Sequence, residues 1–509
     1  MRPFLIRYVC ILFCLWSSQV LAENTLDPFN TEAMLPLKPA LRLGGAVGDP
    51  CAEAMPNGAL NLLDVVNLAL CNNPQTREAW ANARVQVAQV GVSEASYLPN
   101  LSLTASGIRS RVEDAPSVYQ RNIGLSLSYL LYDFGARAAN LENARQLVTA
   151  ANATQDSTVQ AIFLSAVQSF YQTQATLAAL DAARESERAA KESFAAANAR
   201  YVAGSATPAD KLQAQTAYSQ ATLNRITADG NMKNAKGTLA NMLGLDANQN
   251  ISLVSAERPL RSGGTLTDAP LTDASPEGES LQILAQDIRD LIEEARQHRP
   301  DLYAAVAQVK AAEASVDAAR TSDKPSISLN ASTNQSNSTG INTLANQSSG
   351  AGNTSRGSSV GISLSVPIFS GFAPTYRIRA AEAQVETKNA QLERLRLQVA
   401  LDVWTAYQNL TTAAQSLRST ADLLNSAEQS ERVALGRYKA GVGSILDVLN
   451  AQSALASARQ QRIQSMFNWN IGRATLAQAM GGLNANLLQT LPDALSKQSS
   501  DTPQQRIQP

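Results

Sequence analysis

The sequence predicts a mainly helical chain with membrane-type β-structure: long α-helical hairpins, built twice, each preceded by a pair of strands. Three observations carry this reading. A motif that breaks a helix occurs twice, RYVAGSATPADKLQAQTAYSQA from Arg200 and RYKAGVGSILDVLNAQSALASA from Arg437, at an offset of 237 residues. Period-two alternation of apolar and polar residues precedes each break, at Leu101–Ala105 and Ile123–Leu131, then at Ile327–Leu329 and Val360–Ile368. Between alternation and break, no proline interrupts Gly135 to Arg200, nor the stretch after Pro374 up to Arg437.

The repeat can be traced outward from its twin breaks. Asn73-Pro74 and Arg299-Pro300 match at an offset of 226, and Leu243-Gly244 and Met480-Gly481 at 237. The extra residues fall between Ser326 and Gly361, in the Asn/Ser/Gly-rich tract Asn334–Arg356, which reads as a polar loop. The expected organisation is a first repeat over 60–244, an inter-repeat segment over 245–286, a second repeat over 287–482 and a mobile tail over 483–509.

The N-terminus reads as a targeting segment. Arg2 and Arg7 precede the apolar run Tyr8–Trp16, and Val20-Leu21-Ala22 suits cleavage before Glu23, so residues 1–22 are expected to be a secretory signal peptide. A periplasmic extension over 23–59 follows. Cys10 and Cys14 would leave with the signal. Cys51 and Cys71 would meet an oxidising compartment and are candidates for a disulfide across the short amphipathic helix Leu60–Leu70, with two buried thiols as the alternative.

Next comes a helix from Pro74 to Tyr97, then the strands. Alternation over about ten residues marks a strand with one apolar and one polar face. Each repeat supplies two strands, so the chain has four. An open sheet edge in lipid leaves backbone groups unpaired, so such a sheet must close with strands from other chains. Closed barrels start at about eight strands. The small inward residues Ser126, Ser128, Gly361, Ser363 and Ser365 suit a wide, watery lumen, which favours twelve strands from three chains.

Helices follow at once. Asp133 and Ser370 stand at equivalent places as N-cap candidates. Val159, Ile162, Phe163, Ala166, Val167 and Phe170 keep helical spacing, and Val403, Leu410, Leu417 and Leu424 are seven apart, a coiled-coil seam. Each long helix would span roughly 100 Å, and the returning helices Ala209–Leu243 and Ile445–Met480 only roughly 53 Å. Segments Pro74–Tyr97 and Pro300–Thr321 can stack end to end with the returning helices and make up the difference.

Composition excludes other classes. A net charge of -1 provides no basic field for nucleic acid, and 5% aromatics with abundant alanine suits thin helix seams rather than a thick globular core. His298 is the only histidine, and in RQHRP it reads as a surface loop. No multi-histidine metal site can therefore form within one chain, and a Ser-His-Asp triad would have to be built on this one surface histidine. Gly263-Gly264 and Gly481-Gly482 lack a phosphate-loop setting and read as linkers. Neither an enzyme nor a cofactor is expected.

The ordered set of features resembles the TolC family of bacterial outer-membrane factors over nearly all of the chain after the signal. The residues carrying the likeness are the duplicated strand–strand–helical-hairpin order, NNP and RP opening the repeats, and Tyr-x-x-Gly followed by Asp-x-Leu-x-Ala at both breaks. The resemblance implies a homotrimer: a twelve-strand barrel in the outer membrane, continuous with a helical tunnel in the periplasm. It implies passive export through a periplasmic adaptor, energised by an inner-membrane ABC, RND or MFS transporter. The stretch ALCNNPQTREAWA is most similar to branches serving type I protein secretion.

Carried over by position, Asp447 would line the periplasmic mouth, while Tyr438 and Asp210 would hold neighbouring hairpins and keep it closed. Two positions depart from the family: its second mouth acid falls on Asn450, and an arginine that locks some members falls on Gly443. Gly204, Ser205, Gly441 and Val442 form the tips where an adaptor would dock. The rival reading is a periplasmic coiled-coil adaptor or scaffold without a pore, which would lack paired lipid-facing strands.

Overall fold

The computed structural model describes residues 27–35, 58–111, 117–249, 251–254, 288–339 and 353–482. The signal segment, Cys51, most of the inter-repeat segment and the tail lie outside the described residues. The chain forms two compact units, and each draws on both repeats. One unit holds the described parts of 1–35, 84–145 and 317–374, and the other those of 36–83, 146–316 and 375–509.

The first unit is built on an antiparallel sheet of β1 (Asn100–Ser110), β2 (Val118–Tyr132), β3 (Ser326–Thr339) and β4 (Asn353–Ser365), ordered as in the chain. The register aligns the alternation across all four strands: Leu101 lies opposite Leu127, Leu127 opposite Ala331, and Ala331 opposite Val360. One step along, Ser102, Ser126, Ser332 and Ser359 form a polar row. Across it the hydroxyls of Ser102 and Ser126 lie 2.7 Å apart, and those of Ser332 and Ser359 lie 2.9 Å apart. The apolar row is open to its surroundings, with Leu101 63% and Val360 78% exposed. β1 and β4 are the edges of the sheet, each paired on one side only among the described residues.

β3 runs on to Thr339 and β4 begins at Asn353, so both ends of the tract 334–356 expected as a polar loop are paired strand. β4 stops at Ser365, short of Val366 and Ile368, which were expected to continue it. At the helix start Asp133 behaves as expected, its carboxylate accepting from the backbone N–H of Arg137 at 2.9 Å. The Ser370 hydroxyl instead donates to Asp323 at 3.1 Å, so the second copy lacks the side-chain cap.

The helices are α1 (Leu62–Asn72), α2 (Pro74–Ala95), α3 (Ala136–Val202), α4 (Pro208–Met242), α5 (Ile288–His298), α6 (Pro300–Thr321), α7 (Ala373–Lys439) and α8 (Ile445–Ala479). The hairpins are α3–α4 and α7–α8, each a helix of 67 residues followed by one of 35. In the second unit α4 ends where α2 begins, since the Asn73 side-chain amide donates to the Met242 carbonyl at 3.2 Å. Gly244 and Gly481 end the two returning helices at φ 71° and 77°. A Cβ at Gly244 would lie 2.6 Å from the Asn72 carbonyl oxygen, and one at Gly481 2.8 Å from that of His298. Glycine is required at both places by conformation and by space, so Gly481 is a packed helix end and not a linker.

α5 is a short helix where the sequence reads as a loop at its His298 end. It stands where α1 stands in the first repeat, and its last residue is His298, whose ring nitrogen Nδ1 lies 3.0 Å from the Glu294 carbonyl oxygen. His298 is thus the end of a helix, not part of a loop. α1 begins with a reciprocal cap: Asn61 accepts from the Asp64 N–H at 2.8 Å and Asp64 from the Asn61 N–H at 3.0 Å. Cys71, in the last turn of α1, is disulfide-bonded.

Packing follows the predicted spacing. Phe163, Val167 and Phe170 of α3 are buried with Leu62, Val65 and Leu70 of α1, Leu239 of α4 and Phe467 of α8. Val403 and Leu410 are buried with Leu291, Leu302, Trp469 and Leu476 around the second hairpin. Burying one such Phe or Leu side chain contributes about 2 kcal/mol. Arg299, 9% exposed, lies between the carboxylates of Asp301 (2.6 Å) and Asp402 (2.9 Å), tying the start of α6 to α7.

Candidate functional site

The twin breaks fold alike because their backbone chemistry is alike. Gly204 and Gly441 sit just past the long helices at φ 73° and 80°, where any side chain would be strained. The Ser205 and Val442 N–H groups then reach back to the carbonyls of Arg200 (2.9 Å) and Arg437 (3.0 Å), satisfying helix-end acceptors. Nothing lies within 4 Å of a Cβ built at Gly204 or Gly441, so conformation alone demands glycine there. Gly204, Ser205, Gly441 and Val442 are all exposed.

Each returning helix starts with a capping box that consumes its aspartate. The Asp210 carboxylate accepts from the Thr207 N–H at 3.0 Å and from the Thr207 hydroxyl at 2.8 Å. Those hydrogen bonds hold the Asp210 carboxyl below the usual carboxylate range. Asp447 accepts from the Ser444 N–H at 3.3 Å, and the Ser444 hydroxyl accepts from the Leu446 N–H at 3.1 Å. Asp447 and Asn450, one helical turn apart, are both exposed on α8.

Tyr438 is the buried member of the set, 7% exposed, in an apolar cluster with Ala197, Ala214, Ile445 and Val448 that joins the tips of both hairpins. Its principal polar partner is Arg200 of α3. The guanidinium carbon lies 4.1 Å from the Tyr438 ring centroid, and Nη2 donates to the Tyr438 carbonyl oxygen at 2.7 Å. A cation is thereby placed on the C-terminal end of α7, where carbonyl dipoles attract it. The structure brings Tyr438 to Arg200 and leaves Asp210 bonded to Thr207 within its own turn. Arg200 had not been singled out as a site residue, although it opens the first twin motif as Arg437 opens the second.

Gly443, the position where the family resemblance implies an arginine in some members, is packed against the helix it follows. A Cβ there would lie 3.0 Å from both the Arg437 Cβ and the Tyr438 backbone nitrogen.

A sheet with one open apolar face, joined in the same chain to paired helical hairpins with matched tips, defines a subunit of an outer-membrane channel. A family model described as Outer membrane efflux protein matches residues 65–245 and 291–482, and the chain belongs to that family. Protein CyaE of Bordetella pertussis is 31% identical over 407 residues, 79% of this chain and 80% of that protein. Outer membrane protein TolC of Escherichia coli K12 is 23% identical over 478 residues, 92% of this chain and 91% of that protein. Among solved structures, the open state of the Neisseria gonorrhoeae MtrE outer membrane channel shares the fold with a TM-score of 0.66 at 21% identity, covering 83% of this chain and 90% of that one. CusC does so with the same score and identity, covering 88% and 98%. The protein is placed in the outer membrane.

Proposed function

We propose that the protein is the passive exit duct of a tripartite export system, serving protein secretion of the type I kind or small-molecule efflux, and closed at its helix tips. The observation that carries this reading is the sheet. Its apolar face is exposed and its β1 and β4 edges are open, which suits lipid only if further copies complete the barrel. Three copies would supply twelve strands. A periplasmic scaffold without a pore has no use for such a sheet.

In this reading Asp447 and Asn450 face the passage at its periplasmic mouth, and Tyr438 and Asp210 belong to the device that keeps the mouth shut. Gly443 leaves that device without the arginine some relatives use. Gly204, Ser205, Gly441 and Val442 offer the docking tips to a periplasmic adaptor, which links the duct to an inner-membrane ABC, RND or MFS transporter. The similarity to Protein CyaE and to pump components such as Probable efflux pump outer membrane protein TtgC of Pseudomonas putida supports an export role. The test is reconstitution into planar bilayers. A trimer with discrete ion conductance is expected; a monodisperse monomer, or a trimer that inserts without conducting, would overturn the reading.

A further inference from the structure

The contacts between the two hairpins of one chain have counterparts that the single chain leaves unused. Contacts that cross the seam between the hairpins include Arg200 on Tyr438, the Ser193 hydroxyl donating to Gln452 (3.2 Å), Arg459 with Glu185 (3.1 Å), and the Tyr171 and Phe467 rings at 6.1 Å. In the first pair α3 supplies the arginine and α7 the tyrosine, and in the second α3 supplies the serine and α8 the glutamine. Shifted by the repeat offset, the same residues recur with the hairpins exchanged: Arg437 and Ser430 on α7, Tyr201 and Gln215 on α3 and α4. All four are exposed. Apolar positions follow suit. Tyr438 and Ile463 are 7% and 3% exposed, whereas their counterparts Tyr201 and Ile226 are 38% and 54% exposed. Likewise Val167 is buried, while its counterpart Trp404 is 49% exposed.

We infer that these two faces meet between copies of the chain: Arg437 of one copy stacks on Tyr201 of the next and donates to its carbonyl, with Ser430 opposite Gln215. This rests on the reading of the protein as a shared channel. It goes further in naming the pairing and in ranking the seams. The seam between copies has fewer holdfasts than the seam within a chain. Arg459 and Glu185 become Thr222 and Asp422, which cannot form an ion pair, and Phe467 and Tyr171 become Gly230 and Gln408. Val448, buried beside Tyr438, becomes Lys211, whose ammonium lies 5.2 Å from the Tyr201 ring centroid and would repel an arriving arginine. The mouth therefore parts between chains before it parts within them.

The test is thiol cross-linking of the full-length protein in detergent with a short reducible bis-methanethiosulfonate. The variant Tyr201→Cys/Arg437→Cys should run as covalent dimers and trimers on a denaturing gel. Either single substitution should run as monomer, and Arg200→Cys/Tyr438→Cys, linked within one chain, should as well. Light scattering on the same samples reports the assembly independently. A trimer by scattering that yields only monomers on the gel would overturn the pairing and leave the channel reading intact. A monomer by scattering would overturn both. In bilayers the link between positions 201 and 437 should lower conductance several-fold, with recovery on reduction. Unchanged conductance on linking would overturn the claim that the mouth parts between chains.

Discussion

Replacing Arg200 by alanine removes two interactions at once, and the structure sets their size. The guanidinium lies 4.1 Å from the Tyr438 ring centroid, and a half-exposed cation–π contact of this kind contributes about 1 kcal/mol. Its 2.7 Å bond to the Tyr438 carbonyl is charge-assisted and sits at a helix C-terminus; with Arg200 half-buried, about 1 kcal/mol is a discounted figure. The sum, about 2 kcal/mol for each chain, corresponds to roughly a thirty-fold shift between joined and parted tips. With Arg200 gone the seam within each chain is left about as weakly held as the seam between chains, so three further seams of a trimer can part and the open fraction should rise. The assay is single-channel recording in planar bilayers, with uptake of a bulky antibiotic by expressing cells as a second readout. Tyr438→Phe discriminates among causes, because it keeps both the ring and the carbonyl that Arg200 uses. It should behave like the wild type, and Arg200→Lys should fall between. The reasoning is refuted if Arg200→Ala conducts like the wild type, or if Tyr438→Phe opens the mouth as far as Arg200→Ala does.

Other consequences can be checked separately. The Asp210 carboxyl is held low by Thr207, so its contribution to the tip is complete above the unfolded aspartate pKa of about 3.9 and is lost as pH falls through the lower folded value. Hydrogen exchange around residues 205–212 should therefore quicken relative to the rest of the chain only below about pH 4, and Asp210→Asn should abolish that dependence. Gly443→Ala should destabilise the second tip by about 1 kcal/mol through its 3.0 Å contacts, and Gly443→Arg should loosen the mouth rather than lock it; conductance decides. Arg299→Ala leaves the Asp301 and Asp402 carboxylates without their shared cation and should lower stability to denaturant by about 2 kcal/mol, a figure discounted for the partial exposure of both acids. Cys51 is proposed as the partner of the disulfide-bonded Cys71, so denatured, unreduced protein lacking residues 1–22 should titrate no free thiol, and two would reject the pairing.

Much of the architecture was legible in the chain because its signals are local or periodic. Alternation at period two assigns Leu101, Leu103 and Leu125 to one face of a strand whatever lies beside it, since successive side chains point to opposite faces. The breaks at Gly204 and Gly441 announce a left-handed residue after a long proline-free run, and the structure has it at φ 73° and 80°. A constant offset between two such series also implies that the hairpins are built twice. What no periodicity conveys is which neighbour covers a given face. Arg200 and Arg437 stand in the same motif with the same local backbone, yet within one chain Arg200 is seated on Tyr438 and Arg437 is exposed. The same holds for Ser370, whose hydroxyl turns to Asp323 instead of the helix start, and for Gly481, where the distant His298 carbonyl adds a need for space to the conformational one. Helical spacing sorts residues into stripes. The partner each stripe meets depends on how separate helices pack side by side, and only the tertiary structure decides that.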